Sequence, residues 1–205
     1  MRELSLPPRG LSRRGLLTAG LTAGLASALP RPAPAQQLSA DTWVVPPEHE
    51  PMTLMLADDY PPGAILVDPD AFALYLMLDS RFALRFVVGI AKGNLYEAGT
   101  FTLGAKKEWP SWTPTKEMIA RDPDHYAKWA DGMPGGPDNP LGARALYLFD
   151  DIGNDTFLRI HGTPQPWTIG TAVSNGCVRL VNEHAILLYD RAQIGSPIIL
   201  FPRSV

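Results

Sequence analysis

A mostly β domain, built as a β-sandwich or a partly closed barrel, is the fold this sequence predicts. Three observations carry it. From Gly63 onward, short apolar runs alternate with turn residues. Seven or eight such runs fall between residues 63 and 202, a spacing that suits a sheet-built core. The 21 prolines leave little room for long uninterrupted helices.

The strands are read in order. Residues 64–67 open the series, Asp68-Pro69-Asp70 makes a turn, and residues 72–78 pair back as a hairpin. Residues 83–89 follow, with Arg85 interrupting an apolar run, and then residues 99–104. Residues 145–149 and 157–161 form a second hairpin around the polar stretch from Asp150 to Asp155. Residues 177–181 and 198–201 complete the series.

Two segments break the β pattern. Residues 115–130 contain Met118, Ile119, Tyr126 and Trp129 and read as helical, divided at Pro123. Residues 182–193 read as a helix with Asn182 as its cap, Ile186, Leu187 and Ile194 facing the core, and Gly195 as its stop. The Pro/Gly/Trp-rich stretch between Trp109 and Gly142 is too long for a plain connector and reads as a functional loop or lid. Ahead of the sheet, residues 36–62 form a lead-in rich in proline and acid, with residues 52–56 as a short strand or helical turn.

The first 35 residues read as an export signal rather than as fold. Arg2, Arg9, Arg13 and Arg14 make a basic start, residues 15–29 are a charge-free, mostly apolar run, and Ala33-Pro34-Ala35 is a small-x-small cleavage site. The run is shorter than the roughly 20 residues a transmembrane helix needs. Ser12-Arg13-Arg14-Gly15-Leu16-Leu17 has twin-arginine character, although a general secretory signal fits too. Cleavage after Ala35 leaves an acidic chain of net charge -7 with no transmembrane helix and one catalytic domain, residues 63–202. That charge argues against a nucleic-acid partner held by bulk electrostatics. A single cysteine excludes an internal disulfide framework and a multi-thiolate zinc site. Export also makes an unpaired thiol a liability unless it is buried or used, so Cys177 stands out.

Cys177 lies in a dense stretch. His161-Gly162-Thr163 is followed by Ile169-Gly170 and then by Ser174-Asn175-Gly176-Cys177-Val178-Arg179-Leu180. A cysteine nucleophile needs a base, because a free thiol with pKa of roughly 8.5 is mostly protonated at neutral pH. An imidazole can take that proton and return it to a leaving amine. His161 ends one strand and Cys177 begins another, so adjacent strand ends could bring them together. Gly176 permits a sharp turn whose backbone N–H groups can serve as an oxyanion hole. In an extended Cys177–Arg179 segment the two side chains share a face, where Arg179 can stabilise a thiolate or grip a substrate carboxylate. Spacing alone leaves open both a catalytic pair and a buried cysteine beside a core histidine.

The run from His161 to Leu180 closely resembles the signature of the L,D-transpeptidase catalytic domain family, which reads His-Gly-Thr, Ile-Gly, then Ser-His-Gly-Cys, a hydrophobic residue, and Arg or Asn. Gly136-Pro137-Asp138-Asn139-Pro140-Leu141-Gly142 with Arg144-Ala145-Leu146-Tyr147-Leu148 resembles a second block of the bacterial periplasmic members, and Trp112-Thr113-Pro114 the segment before it. The resemblance implies Cys177 as nucleophile and His161 as proton donor and acceptor. It implies the Gly162 carbonyl as the group orienting the imidazole, Ser174, Asn175 and Arg179 as support, and N–H groups near Gly176 and Cys177 as the oxyanion hole. Asn175 stands where the common motif has His, and an amide cannot titrate. Trp167, Tyr147 and Asn139 are candidate substrate contacts; Trp109, Trp112 and Trp129 either line a groove or pack beneath the loop.

The implied reaction is acyl transfer on peptidoglycan stem peptides, without metal or organic cofactor. The acceptor would be another stem, a free D-amino acid or an anchored envelope protein, and carbapenems would acylate the thiol. The implied location is the periplasm. A hydrolase using the same pair, with water as acceptor, and a non-catalytic peptidoglycan-binding module are the rival readings. Lys106-Lys107 reads as solvated charge, and His49, His125 and His184 as surface or capping residues.

Overall fold

The computed structural model describes residues 42–204. The predicted export segment, residues 1–35, lies outside the described residues, as does the start of the lead-in. The strands are β1 (Met52–Met55), β2 (Ile65–Asp68), β3 (Ala73–Met77), β4 (Phe82–Val87), β5 (Ile90–Ala91), β6 (Gly99–Glu108), β7 (Arg144–Phe149), β8 (Asp155–His161), β9 (Ala172–Ser174), β10 (Val178–Arg179) and β11 (Pro197–Leu200). Three short helices accompany them, α1 (Lys116–Arg121), α2 (Pro123–Tyr126) and α3 (Asn182–Arg191). Nine strands make one sheet in the order β1-β4-β3-β2-β11-β6-β7-β8-β10, and β5 and β9 form a separate parallel pair. β1 and β10 are the two edges, so the mostly β expectation holds while the sheet does not close into a barrel.

Period-two alternation explains the continuous apolar runs. In β2, Ile65 and Val67 enter the main core while Leu66 joins a smaller cluster with Ala64, Met77 and Ala83 on the opposite face. A strand covered on both faces has no polar side to show. The β2–β3 turn is held by Asp68, whose carboxylate accepts from the N–H groups of Asp70 and Ala71 at 3.0 and 3.1 Å. The main core continues through Leu103, Leu146, Leu148, Leu158, Ile160 and Val178, and α3 closes it with Ala185 and Leu188.

Several expectations are refined or corrected. In the lead-in, the short stretch at 52–56 is the strand of its two expected readings: β1 pairs with β4, Met52 opposite Arg85. Trp43 and Val45 pack on Val87, Ile169 and Val181. β6 runs on to Glu108, and Gly104 is needed at its irregular register because a Cβ there would lie 2.2 Å from Phe149. Lys106 is therefore a strand residue whose ammonium donates to the Ala192 carbonyl at 2.8 Å, at the negative end of α3. α3 buries His184, Ala185 and Leu188, while Ile194 beyond its end is exposed. His184 is thus a core residue beside Phe86 and not a surface one. Among the described residues no helix is long and apolar enough to cross a membrane.

Candidate active site

β8 and β10 run parallel, with Val178 opposite Ile160 and Arg179 opposite His161. Side chains alternate along a strand. Ile160 and Val178 therefore enter the main core, and Arg159, His161, Cys177 and Arg179 meet on the other face, where all four line a cavity of about 600 Å³. The loop between the two strands is what brings His161 and Cys177 to one place.

His161 is buried, and its Nδ1 lies 2.5 Å from the Gly162 carbonyl oxygen. A carbonyl only accepts, so Nδ1 carries the proton and Nε2 is left as a base. Crowding holds that carbonyl in place. A Cβ on Gly162 would come 2.3 Å from Asn182 Oδ1, and one on Gly142 would meet the same oxygen at 2.3 Å. That oxygen accepts from the Ala143 N–H at 2.9 Å. Asn182, expected as a helix cap, is instead the first residue of α3 and wedges the two glycines in register.

Gly176 has φ of +137°, a conformation that suits glycine, while its surroundings leave room for a Cβ. Ser174 Oγ donates to the Cys177 carbonyl at 2.5 Å and accepts from the Gly176 N–H at 3.4 Å, which ties the turn together. The Cys177 sulfur faces the Phe157 carbonyl at 4.0 Å. Phe157 itself is exposed, lines the cavity and has φ of +61°.

Burial sets the charge state. It pushes the Cys177 thiol up, against the pull of the Arg159 N–H and the Arg159 and Arg179 guanidiniums. It drives His161 down to about 3, helped by the Arg179 charge and opposed by the Gly162 carbonyl. The resting pair at neutral pH is therefore a thiol and a neutral imidazole. Burial also pulls Arg179 down, and its Nε is buried without a hydrogen-bond partner.

Arg159 was not singled out in the sequence. It forms a bidentate pair with Asp155 at 2.6 and 2.7 Å, and its guanidinium lies 3.9 Å from the centre of the Tyr147 ring. The Arg159-Ile160-His161 alternation was the signal that could have found it. Tyr147 does line the cavity, as do Trp112 and Trp129. Trp167 and Asn139 do not. Trp167 is half-buried in the turn Pro166–Thr168. Asn139 is fully buried; its amide donates to the carbonyls of Met133 and Pro134 and accepts from the Leu141 N–H. Its place is under the loop, where it shapes the chain, and not at the cavity wall.

Within the stretch between Trp109 and Gly142, read as a loop or lid, residues 115–130 form α1, α2 and the turn Ala127–Trp129, divided at Pro123 as expected. Thr115 caps α1 by accepting from the Met118 N–H, and Asp122 caps α2 by accepting from His125 N–H. Backbone bonds between Trp112 and Met133, 2.9 and 2.6 Å, close the base of the segment. Thr115, Met118, His125, Tyr126 and Trp129 line the cavity from this side. Asn175 reaches the segment with both ends of its amide, accepting from Arg121 at 3.0 Å and donating to the Tyr126 hydroxyl at 2.8 Å.

A family model for the L,D-transpeptidase catalytic domain matches residues 62–200. The chain belongs to this L,D-transpeptidase family. The probable L,D-transpeptidase ErfK/SrfK of Escherichia coli K12 is 30% identical over 161 residues, 76% of this chain and 49% of that protein. Its namesake in Salmonella typhimurium is 35% identical over 173 residues, 82% of this chain and 51% of that protein. The chain thus spans about half the length of these curated relatives. A solved structure from Brucella melitensis, described as a probable carnitine operon oxidoreductase caia, is 46% identical with a TM-score of 0.53, covering 81% of this chain and 99% of that one. Its name points to another activity, whereas the family model and the curated relatives agree on L,D-transpeptidase.

Proposed function

We propose that this chain is an exported, periplasmic peptidoglycan L,D-transpeptidase with Cys177 as nucleophile and His161 as its acid and base. The observation that carries the reading is the parallel β8–β10 register, which sets both residues on one cavity wall with Nε2 of His161 left as the free base. The Cys177 sulfur attacks the third-residue carbonyl of a tetrapeptide stem as its proton passes to His161 Nε2. The oxyanion forms against N–H groups at Gly176 and Cys177. The C–N bond then breaks, His161 returns the proton to the departing amine, and D-alanine leaves. An acceptor amine attacks the thioester, gives its proton to His161, and the sulfur departs and is reprotonated.

A neutral resting pair suits this sequence, because the thiolate is needed only as the new bond forms. The guanidiniums of Arg159 and Arg179 lower the cost of that charge, and Arg179 can hold a stem carboxylate. Stem peptides are the substrate class, an anchored envelope protein is one possible amine acceptor, and carbapenems are substrates for the same sulfur.

Intact-protein mass spectrometry tests the reading, using residues 36–205 with a tetrapeptide-stem muropeptide and the Cys177→Ala variant alongside. The expected result is a Cys177-dependent adduct lacking the terminal D-alanine, followed by dimeric products. An adduct that resolves only to tripeptide would make water the acceptor and the enzyme a hydrolase. Absence of any adduct, with a carbapenem also failing to add, would overturn the nucleophile assignment.

A further inference from the structure

Asn175 carries a consequence that the family signature does not. It occupies the place of the motif histidine, directly before the Gly176-Cys177 turn. Its carbonyl oxygen is taken by Arg121 of α1 and its amide nitrogen by the Tyr126 hydroxyl of α2, at 3.0 and 2.8 Å. One side chain thus ties two elements of the 115–130 segment to the nucleophile turn.

That segment has little else to hold it closed. α1, α2 and the turn Ala127–Trp129 contain no buried residue. Its large apolar residues Met118, Ile119, Tyr126 and Trp129 are only half-buried, so hydrophobic stabilisation of its closure is limited and its position leans on polar and aromatic contacts. Tyr126 meets the ring of Trp112 edge-on at 6.1 Å, and Trp112 lies in the paired base of the segment. The Tyr126 hydroxyl is then free to point at Asn175. The anchored residues belong to the cavity itself, since Tyr126 and Asn175 both line it together with Cys177.

We propose that Asn175 is a positioning residue that latches the 115–130 segment as a lid over the cavity, coupling lid closure to the turn that presents Cys177. An amide fits the task because it offers an acceptor and a donor at once and keeps both at every pH. The catalytic meaning of the latch rests on the transpeptidase reading: the closed lid retains the donor stem while the thioester forms. The mechanical claim does not depend on it.

Two measurements separate those levels. The first is hydrogen exchange by mass spectrometry on the free protein, comparing wild type with Asn175→Ala, Arg121→Gln and Tyr126→Phe. Losing one latch bond should speed exchange of amides 116–130 by about tenfold, with the sheet unchanged. The Asn175→Ala/Tyr126→Phe pair should fall short of the sum of its singles, because both variants remove the same Asn175–Tyr126 bond. Unchanged exchange in this segment, or fully additive effects, would overturn the latch. Tyr126→Phe and Arg121→Gln lie on the exposed segment, so they keep the test decisive if Asn175→Ala folds poorly. The second measurement is donor-stem kinetics. The latch predicts a several-fold rise in KM for Asn175→Ala, while alkylation of Cys177 by iodoacetamide, which needs no lid, is not slowed. Slower alkylation with unchanged KM would mean Asn175 acts on the nucleophile turn alone. If exchange responds but no variant, wild type included, turns over stems, the latch stands and the transpeptidase reading fails.

Discussion

At the scale of single residues, burial comes first in the charge state of Cys177 and His161, and one neighbouring cation acts on both. The Arg179 guanidinium pulls both groups down, the thiol against its desolvation and the imidazole along with it. Arg179→Gln removes that cation, so both should titrate higher. The thiol change is the easier to read. Iodoacetamide alkylation of Cys177 at neutral pH should slow, roughly tenfold for each pKa unit gained, and its pH profile should move to higher pH. A profile that does not move would show that Arg179 serves substrate only and leaves the nucleophile alone. Ser174 works through geometry instead. Its hydroxyl bonds to the Cys177 carbonyl and the Gly176 N–H, so Ser174→Ala should cost about 0.5–1.5 kcal/mol by urea denaturation. Ser174→Thr, which keeps the hydroxyl, should recover most of it.

At the scale of elements, the site is two strand ends held by a crowded junction with the start of α3. Gly162 and Gly142 sit against one oxygen of Asn182, which is itself bonded to the Ala143 N–H. Gly162→Ala should force Asn182 aside, destabilise the fold by about 1–3 kcal/mol, and slow acylation by turning the carbonyl that orients His161. Adding Asn182→Ala should restore part of the stability, because the clash partner is gone; thermal and urea unfolding of the single and double variants measure it. This junction also marks what could be read from the chain. The strands were legible because apolar alternation and turn residues such as Asp68 are local signals. The His161–Cys177 partnership was legible as a motif. The latch from Asn175 to Arg121 and Tyr126, and the wedge of Asn182, join residues about 40 to 55 positions apart, and nothing local announces them. Trp167 and Asn139 lie off the cavity lining, and position in the chain alone does not say which side of a turn faces the cavity. The burying face of α3 was legible only in part: Leu187 packs against the core as expected, while His184, a polar residue, takes a core position and Ile194 is exposed.

At the scale of the whole molecule, two buried histidines connect chemistry to stability. His161 and His184 are both pulled below the ordinary imidazole value, in each case chiefly by desolvation. The unfolded chain binds a proton at each near pH 6.5, whereas the folded chain resists, in the case of His161 down to about pH 3. As pH falls below 6.5 the unfolded state therefore takes up more protons, and stability drops with a slope of up to about 1.4 kcal/mol per pH unit for each group. The depressed carboxylates Asp70, Asp79, Asp150 and Asp155 act in a lower window, because their contribution is present above their unfolded value near 3.8 and is lost below it. Urea midpoints measured between pH 7.5 and 4.5 should therefore decline in the wild type, and His161→Gln should remove part of that slope. Parallel curves for the two proteins would mean that folded His161 protonates as easily as in the unfolded chain, and the neutral base would be lost from the mechanism. A flatter His161→Gln curve would show that the free energy spent keeping the imidazole neutral is the same free energy that leaves Nε2 able to accept the Cys177 proton.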